Sequence, residues 1–144
     1  MARIGEAIEL GQQGRRDEAR AAFGRLWAEI GADGDPLHRV MLAHHVADVQ
    51  DDPRQELAWD LRALEAAGLL ADDRAAAAGA TGPVAAFYPS LHLNLGEDHR
   101  KLGEPAEARR HLELGQAAAA HLGDDPYGTM IKNGLAALET RLTP

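Results

Sequence analysis

Residues Ser90 to Gln116 read SLHLNLGEDHRKLGEPAEARRHLELGQ, and this stretch contains two amphipathic helices and the turn between them. Leu91, Leu95 and Leu102, with His92 and His99 among them, recur at helical spacing. One stripe of the first helix is therefore apolar, while the other side carries Glu97, Asp98, Arg100 and Lys101. Gly103 ends the helix, because a glycine just past the last turn takes the left-handed conformation that closes the final carbonyls. Pro105 then pre-sets the first turn of the next helix, where a missing N–H is no loss. The second helix places Ala108, Leu112 and Gly115 on one face, small residues where two helices must approach closely. Such a hairpin has one apolar outer face that it cannot bury alone.

The rest of the chain repeats the theme. From Ala7 to Ala28 a first helix ends at Gly14 and is followed by Ala19, Phe23, Leu26 and Trp27. Gly14 stands five residues before Ala19, as Gly103 stands five before Ala108. Asp35-Pro36 supplies an N-cap and a first-turn proline for a helix filled on two faces, by Val40, Ala43 and Ala47 and by Leu42, Val46 and Val49, as expected of a helix between neighbours. Asp52-Pro53 starts its partner, with a predicted stripe of Leu57, Leu61 and Leu64. Alignment of this middle unit needs one extra residue in the turn Gln50-Asp51-Asp52. Residues 71–88 do not fit the repeat: Gly79 to Pro83 is a loop by composition, and the apolar end with Phe87 and Tyr88 is expected to tuck against the core. Asp125-Pro126 begins a last helix whose single stripe, Ile131, Leu135, Leu138 and Leu142, suits a terminal cap.

In spacing, His92-x2-Leu95-Gly96-x2-His99 followed by Ala108-x3-Leu112 resembles the 34-residue tetratricopeptide repeat, Trp-x2-Leu-Gly-x2-Tyr and then Ala-x3-Phe. The Leu-Gly pair, the hinge and the alanine match; histidines stand for the two aromatics and leucine for the phenylalanine. The resemblance implies an all-α fold of antiparallel helical hairpins stacked as a tetratricopeptide-like right-handed superhelix, an α-solenoid. Its units are residues 2–30, 36–68 and 89–121, with an insertion at 71–88 and a C-terminal capping helix at 126–142, all in one domain.

The composition excludes several functions. The chain has 144 residues, a formal net charge of −8 and no cysteine, so neither a disulfide framework nor a thiolate metal site is available. The acidic balance argues against a nucleic-acid partner, which needs clustered cations. No apolar run has the length of a signal peptide or a membrane span, and the expectation is a soluble, cytoplasmic protein. Ser90 is the only serine and Lys101 and Lys132 the only lysines, so nucleophiles are few. No phosphate-binding loop or catalytic triad is readable, and the acidic pairs sit where helix capping explains them. The expectation is a chain without catalytic residues or cofactor.

The histidines stand apart. His38, Met41, His45 and Asp48 share one face of the helix that begins at Pro36. The resemblance makes that face part of a concave groove, to which the third unit would contribute Ser90, Asn94, Glu97, Arg100 and Lys101. Three readings are open: histidines as half-buried packing residues, a ligand-contacting groove, or a metal site of two histidines and a carboxylate. The function implied by the resemblance is an interaction scaffold that binds a protein segment or small ligand in the groove. The alternative is a small metal- or metabolite-binding protein, conceivably enzymatic, centred on His45 and Asp48.

Overall fold

A computed structural model describes residues 2–31, 33–69 and 87–143. Seven α-helices make up nearly all of this: α1 (Ala2–Gln12), α2 (Arg16–Ile30), α3 (Pro36–Asp48), α4 (Pro53–Ala67), α5 (Tyr88–Lys101), α6 (Pro105–Ala118) and α7 (Pro126–Leu142), with a 3-10 turn at Ala119–His121 after α6. Among the described residues there is no strand, and no helix is long and apolar enough to cross a membrane. The chain divides into two compact units, Met1–Leu69 and Leu70–Pro144. Of the stretch expected to depart from the repeat, residues 71–86 lie outside the described residues.

The turns follow from their residues. Gly14 and Gly103 have φ of 80° and 74°. At the second, the Gly103 N–H donates to the Arg100 carbonyl (3.1 Å) and the Glu104 N–H reaches back to that of His99 (2.9 Å). At the first, Gly14 N–H donates to Gly11 (3.1 Å) and Arg15 N–H to Leu10 (2.9 Å). Both are the paired closure that a left-handed glycine permits, so the repeat seen in sequence recurs bond for bond. The α3–α4 turn is built otherwise. No non-glycine residue there has positive φ, and the extra residue lets Asp52 cap α4 by accepting from the Arg54 N–H at 2.9 Å. Asp35 caps α3 through the Leu37 N–H (3.0 Å) and Asp125 caps α7 through that of Gly128 (2.7 Å), each ahead of a proline.

In the N-terminal unit α1 pairs with α2, α3 pairs with α4, and α2 lies against α3. The core joins Ile4, Ala7, Ala19, Phe23, Leu26, Leu42, Val46 and Val49, and Trp27 meets Trp59 edge to face at 5.0 Å. All six apolar residues expected on the two faces of α3 are buried. The stripe predicted for α4 is displaced. Asp60, Ala63, Ala66 and Ala67 are buried, while Leu61 is 45% exposed and Leu57 and Leu64 are half-buried. The physical reason is distance: alanines let α4 come closer to its partner than leucines would, and that gain outweighs leaving one leucine wet.

In the C-terminal unit α5 pairs with α6, and α7 packs on both. Leu112, Ile131, Leu135 and Leu138 form its core, with Leu142 at the edge. The contact is made by leucines entering glycine notches: a Cβ on Gly96 would lie 2.7 Å from Leu138, and one on Gly115 2.9 Å from Leu135. Asp98, expected on the wet side of α5, is instead 2% exposed. It falls seven residues after Leu91 and three after Leu95, which places it on the apolar stripe by helical geometry.

Gly14 and Gly103 have open space where a side chain would go, so any cost of substitution comes from φ alone. Gly103→Val is expected to destabilise by about 1–2 kcal/mol. Gly24 lies inside α2, exposed and with open space where a methyl group would go, and Gly24→Ala is expected to stabilise by about 0.8–1 kcal/mol. Chemical denaturation of the two variants checks both signs.

Candidate functional site

The face read from α3 lies in the N-terminal unit. His38, Met41 and His45 are half-buried and Asp48 is exposed. The His45 imidazole lies parallel over the Phe23 ring, centroids 6.4 Å apart, with His44 edge-on at 5.5 Å. Burial and the neighbouring His44 push its pKa down, and Asp48 opposes them. Beside it opens a cleft of about 300 Å³ between α1, α2 and α3, lined by Ile8, Gly11, Gln12, Arg16, Phe23, His45, Asp48 and Val49. Phe23 and Val49, both buried, form an apolar floor. The rim is polar and partly fixed: Arg16 donates from Nε to Asp51 (2.9 Å) and from Nη2 to the Gln50 carbonyl (3.0 Å).

The other expected residues lie in the C-terminal unit. Ser90, Asn94, Glu97 and Arg100 are half-buried and Lys101 is exposed. Burial pushes the Glu97 carboxyl up, but the hydrogen bonds and charge of Arg100, with Arg141 and Lys101, outweigh it and hold the group below the usual carboxylate range. Arg100 Nη2 is 2.5 Å and Arg141 Nη1 3.3 Å from that carboxylate. Glu97 and Arg100 thus satisfy each other.

The dense chemistry of this unit lies elsewhere, between α5 and α6. His92, His99 and His111 stack: His111 is 5.4 Å from His99 with planes 7° apart, and 5.3 Å from His92 at 27°. Tyr88 covers the outer side of His92 at 6.2 Å. His92 and His111 join Nδ1 to Nδ1 at 3.0 Å, His99 Nδ1 meets Glu104 Oε1 at 2.9 Å, and Arg110 Nη2 lies 3.2 Å from His111 Nε2. His111 is 3% exposed. Burial, aided by the charge of Arg110 and by the other two imidazoles, lowers its pKa to about 4; burial and Arg110 lower that of His92.

Among the described residues, the one group of three metal-ligating side chains with ligand atoms within 4.8 Å of one another is His99, Glu107 and His111. His45 and Asp48 are not part of it. His111 does not stand out in the sequence, although it lies three residues after Ala108 and four before Gly115, on the small-residue face of α6, and four after Glu107. That double spacing is the signal the sequence offers. No family model, no curated protein and no solved structure matches this chain.

A histidine whose folded pKa is depressed favours the fold when neutral. Between about pH 6.5 and 4 the unfolded chain binds the proton that folded His111 refuses, so stability falls as the pH drops through that window. The fall from His111 runs in the same direction as those from His92 and His45, whose pKa values are also depressed. Denaturation of chelator-treated protein is expected to show the slope, and His111→Leu is expected to flatten most of it.

Proposed function

We propose that the chain is a non-catalytic interaction scaffold of the tetratricopeptide-like kind, which takes one apolar side chain of a peptide partner in the cleft beside His45. The observation that carries this reading is the coincidence of two independent features. The residues of α3 named as a ligand face, His45 and Asp48, line a cleft of about 300 Å³ with a floor of Phe23 and Val49. A concave site with an apolar floor and a few polar groups at its mouth is the usual form of a small binding pocket, and this volume lies at its lower limit. It fits one large side chain better than a whole metabolite. Gln12, Arg16 and Asp48 at the rim are suited to the main-chain groups on either side of such an anchor.

The fold supports the same reading. Two hairpins with identical glycine closures, a pair of hairpins stacked through α2 and α3, and a last helix resting on both members of its hairpin are the local arrangements of helical repeats. A tetratricopeptide-like stacking of neighbouring hairpins belongs to this proposal. A protein segment is the partner favoured.

Peptides selected from a displayed library on the intact chain provide the test. His45→Ala combined with Asp48→Ala is expected to weaken the selected peptides at least about tenfold, 1.4 kcal/mol, while stability changes by no more than about 1 kcal/mol, since neither residue fills the core. Gly11→Leu, whose Cβ would press on Val49 at 3.1 Å, is expected to weaken the peptides by filling the cleft, and to lower stability as well. Selected peptides that bind all of these variants as well as the parent would place binding elsewhere and end this reading.

A further inference from the structure

The hydrogen bonds of the imidazole stack between α5 and α6 determine where its protons sit. A guanidinium can only donate. Arg110 Nη2, 3.2 Å from His111 Nε2, therefore requires a bare lone pair on that nitrogen, and the His111 proton must be on Nδ1. That N–H donates to His92 Nδ1 at 3.0 Å. The same logic holds for His99. Its Nδ1 lies 2.9 Å from a Glu104 carboxylate oxygen, which only accepts, so in the neutral ring Nε2 is the bare nitrogen. In this arrangement His99 and His111 each direct Nδ1–H at an acceptor, which leaves the Nε2 lone pair as the ligand atom, held in His111 by the Arg110 guanidinium; metal-ligating histidines are oriented in this way by the groups behind them.

The third member, Glu107, is one helical turn before His111 on α6 and is exposed. Its carboxylate accepts from Arg110 Nε at 3.2 Å. The Arg110 guanidinium thus bridges an anionic oxygen and an imidazole lone pair, the two kinds of donor a metal ion would take. Arg110 is 57% exposed along its side chain and can turn into solvent.

We propose that His99, Glu107 and His111 bind a divalent transition-metal ion of the zinc class across the α5–α6 hairpin, and that Arg110 is the cation that holds the place in its absence. Two nitrogens and one carboxylate oxygen suit zinc, and three protein ligands leave a fourth position for water or a ligand. Ligands about 2.1 Å from a tetrahedral ion stand about 3.4 Å apart, whereas the group is spread over up to 4.8 Å. The remaining closure, on the order of 1 Å, requires the exposed Glu107 side chain to turn inward and the His99 and His111 rings, now 7° from parallel, to tilt until their in-plane lone pairs converge. The Gly103 closure holds the two helices in register. None of this depends on the cleft beside His45.

Calorimetric titration of the tag-free, chelator-treated intact chain with zinc tests the site. One ion per chain is expected to bind and to raise the melting temperature. Glu107→Gln and His99→Ala are each expected to weaken binding at least about tenfold; Glu107 is exposed and leaves the fold undisturbed. Arg110→Gln is expected to tighten binding, because it removes the competing cation. This is the outcome that a merely structural stack of histidines would not give. No binding, equal binding by the Glu107 and His99 variants, or weaker binding by Arg110→Gln would each overturn the proposal. His44→Ala with His45→Ala leaves the affinity unchanged if the site is the one described, and a loss there would move the metal to the N-terminal unit and overturn it as well.

Discussion

How closely two helices can approach is decided by the smallest side chains between them, and the C-terminal unit depends on that limit. A Cβ on Gly96 or Gly115 would press on the ends of Leu138 or Leu135 at 2.7 and 2.9 Å, and on Gly96 also on the Ala108 carbonyl at 3.3 Å, so glycine sets how closely α5, α6 and α7 pack as they stand. Buried leucines in these notches contribute about 1.5–3 kcal/mol each. The same closeness brings the histidines together. A Cβ on Gly115 would also lie 3.4 Å from the Cβ of His92, and at that spacing imidazoles from facing helices have no water between them. Their stacking, their fixed tautomers and the low pKa of His111 follow from packing before any function is considered.

The N-terminal unit meets the same requirement with different residues. Alanines, Ala63, Ala66 and Ala67 on α4 and Ala43 and Ala47 on α3, make the close contact, while Phe23 fills the centre and Trp27 and Trp59 close the side. Arginines cover the exposed indole faces: Arg39 lies 4.3 Å over Trp27 and Arg62 4.2 Å over Trp59. A large aromatic at the centre packs less evenly than leucines in notches. The cleft beside His45 lies at the edge of Phe23, where α1 contributes only Gly11 and the ends of Ile8 and Gln12.

The features legible in the sequence are those with one local cause. Gly14 and Gly103 need positive φ, the Asp-Pro pairs at 35, 52 and 125 can do little other than start helices, and the α7 stripe has one apolar phase. Where a helix offers two phases, periodicity favours the larger side chains. On α4 it points to Leu57, Leu61 and Leu64 rather than the alanines that are buried, and on α5 it places Asp98 in water because it is charged. The histidine network is half legible. His92 and His99 stand seven residues apart on one face of α5, but their meeting with His111 requires the register of one helix against another, which no single stretch encodes. His45 and Asp48 are visible as a pair on one face, whereas the cleft they line takes its floor from α2.

The α5–α6 hairpin desolvates His92 and His111 and fixes the His111 proton on Nδ1, with Nε2 accepting from Arg110, and on this the rest of the C-terminal chemistry turns. Nitrogen-15 spectra of the imidazole rings in chelator-treated protein at neutral pH test it most directly. His111 is expected to be neutral with its proton on Nδ1 and its Nε2 unprotonated, and His92 to carry its proton on Nε2. A protonated His111 at pH 7, or a proton on its Nε2, would contradict it.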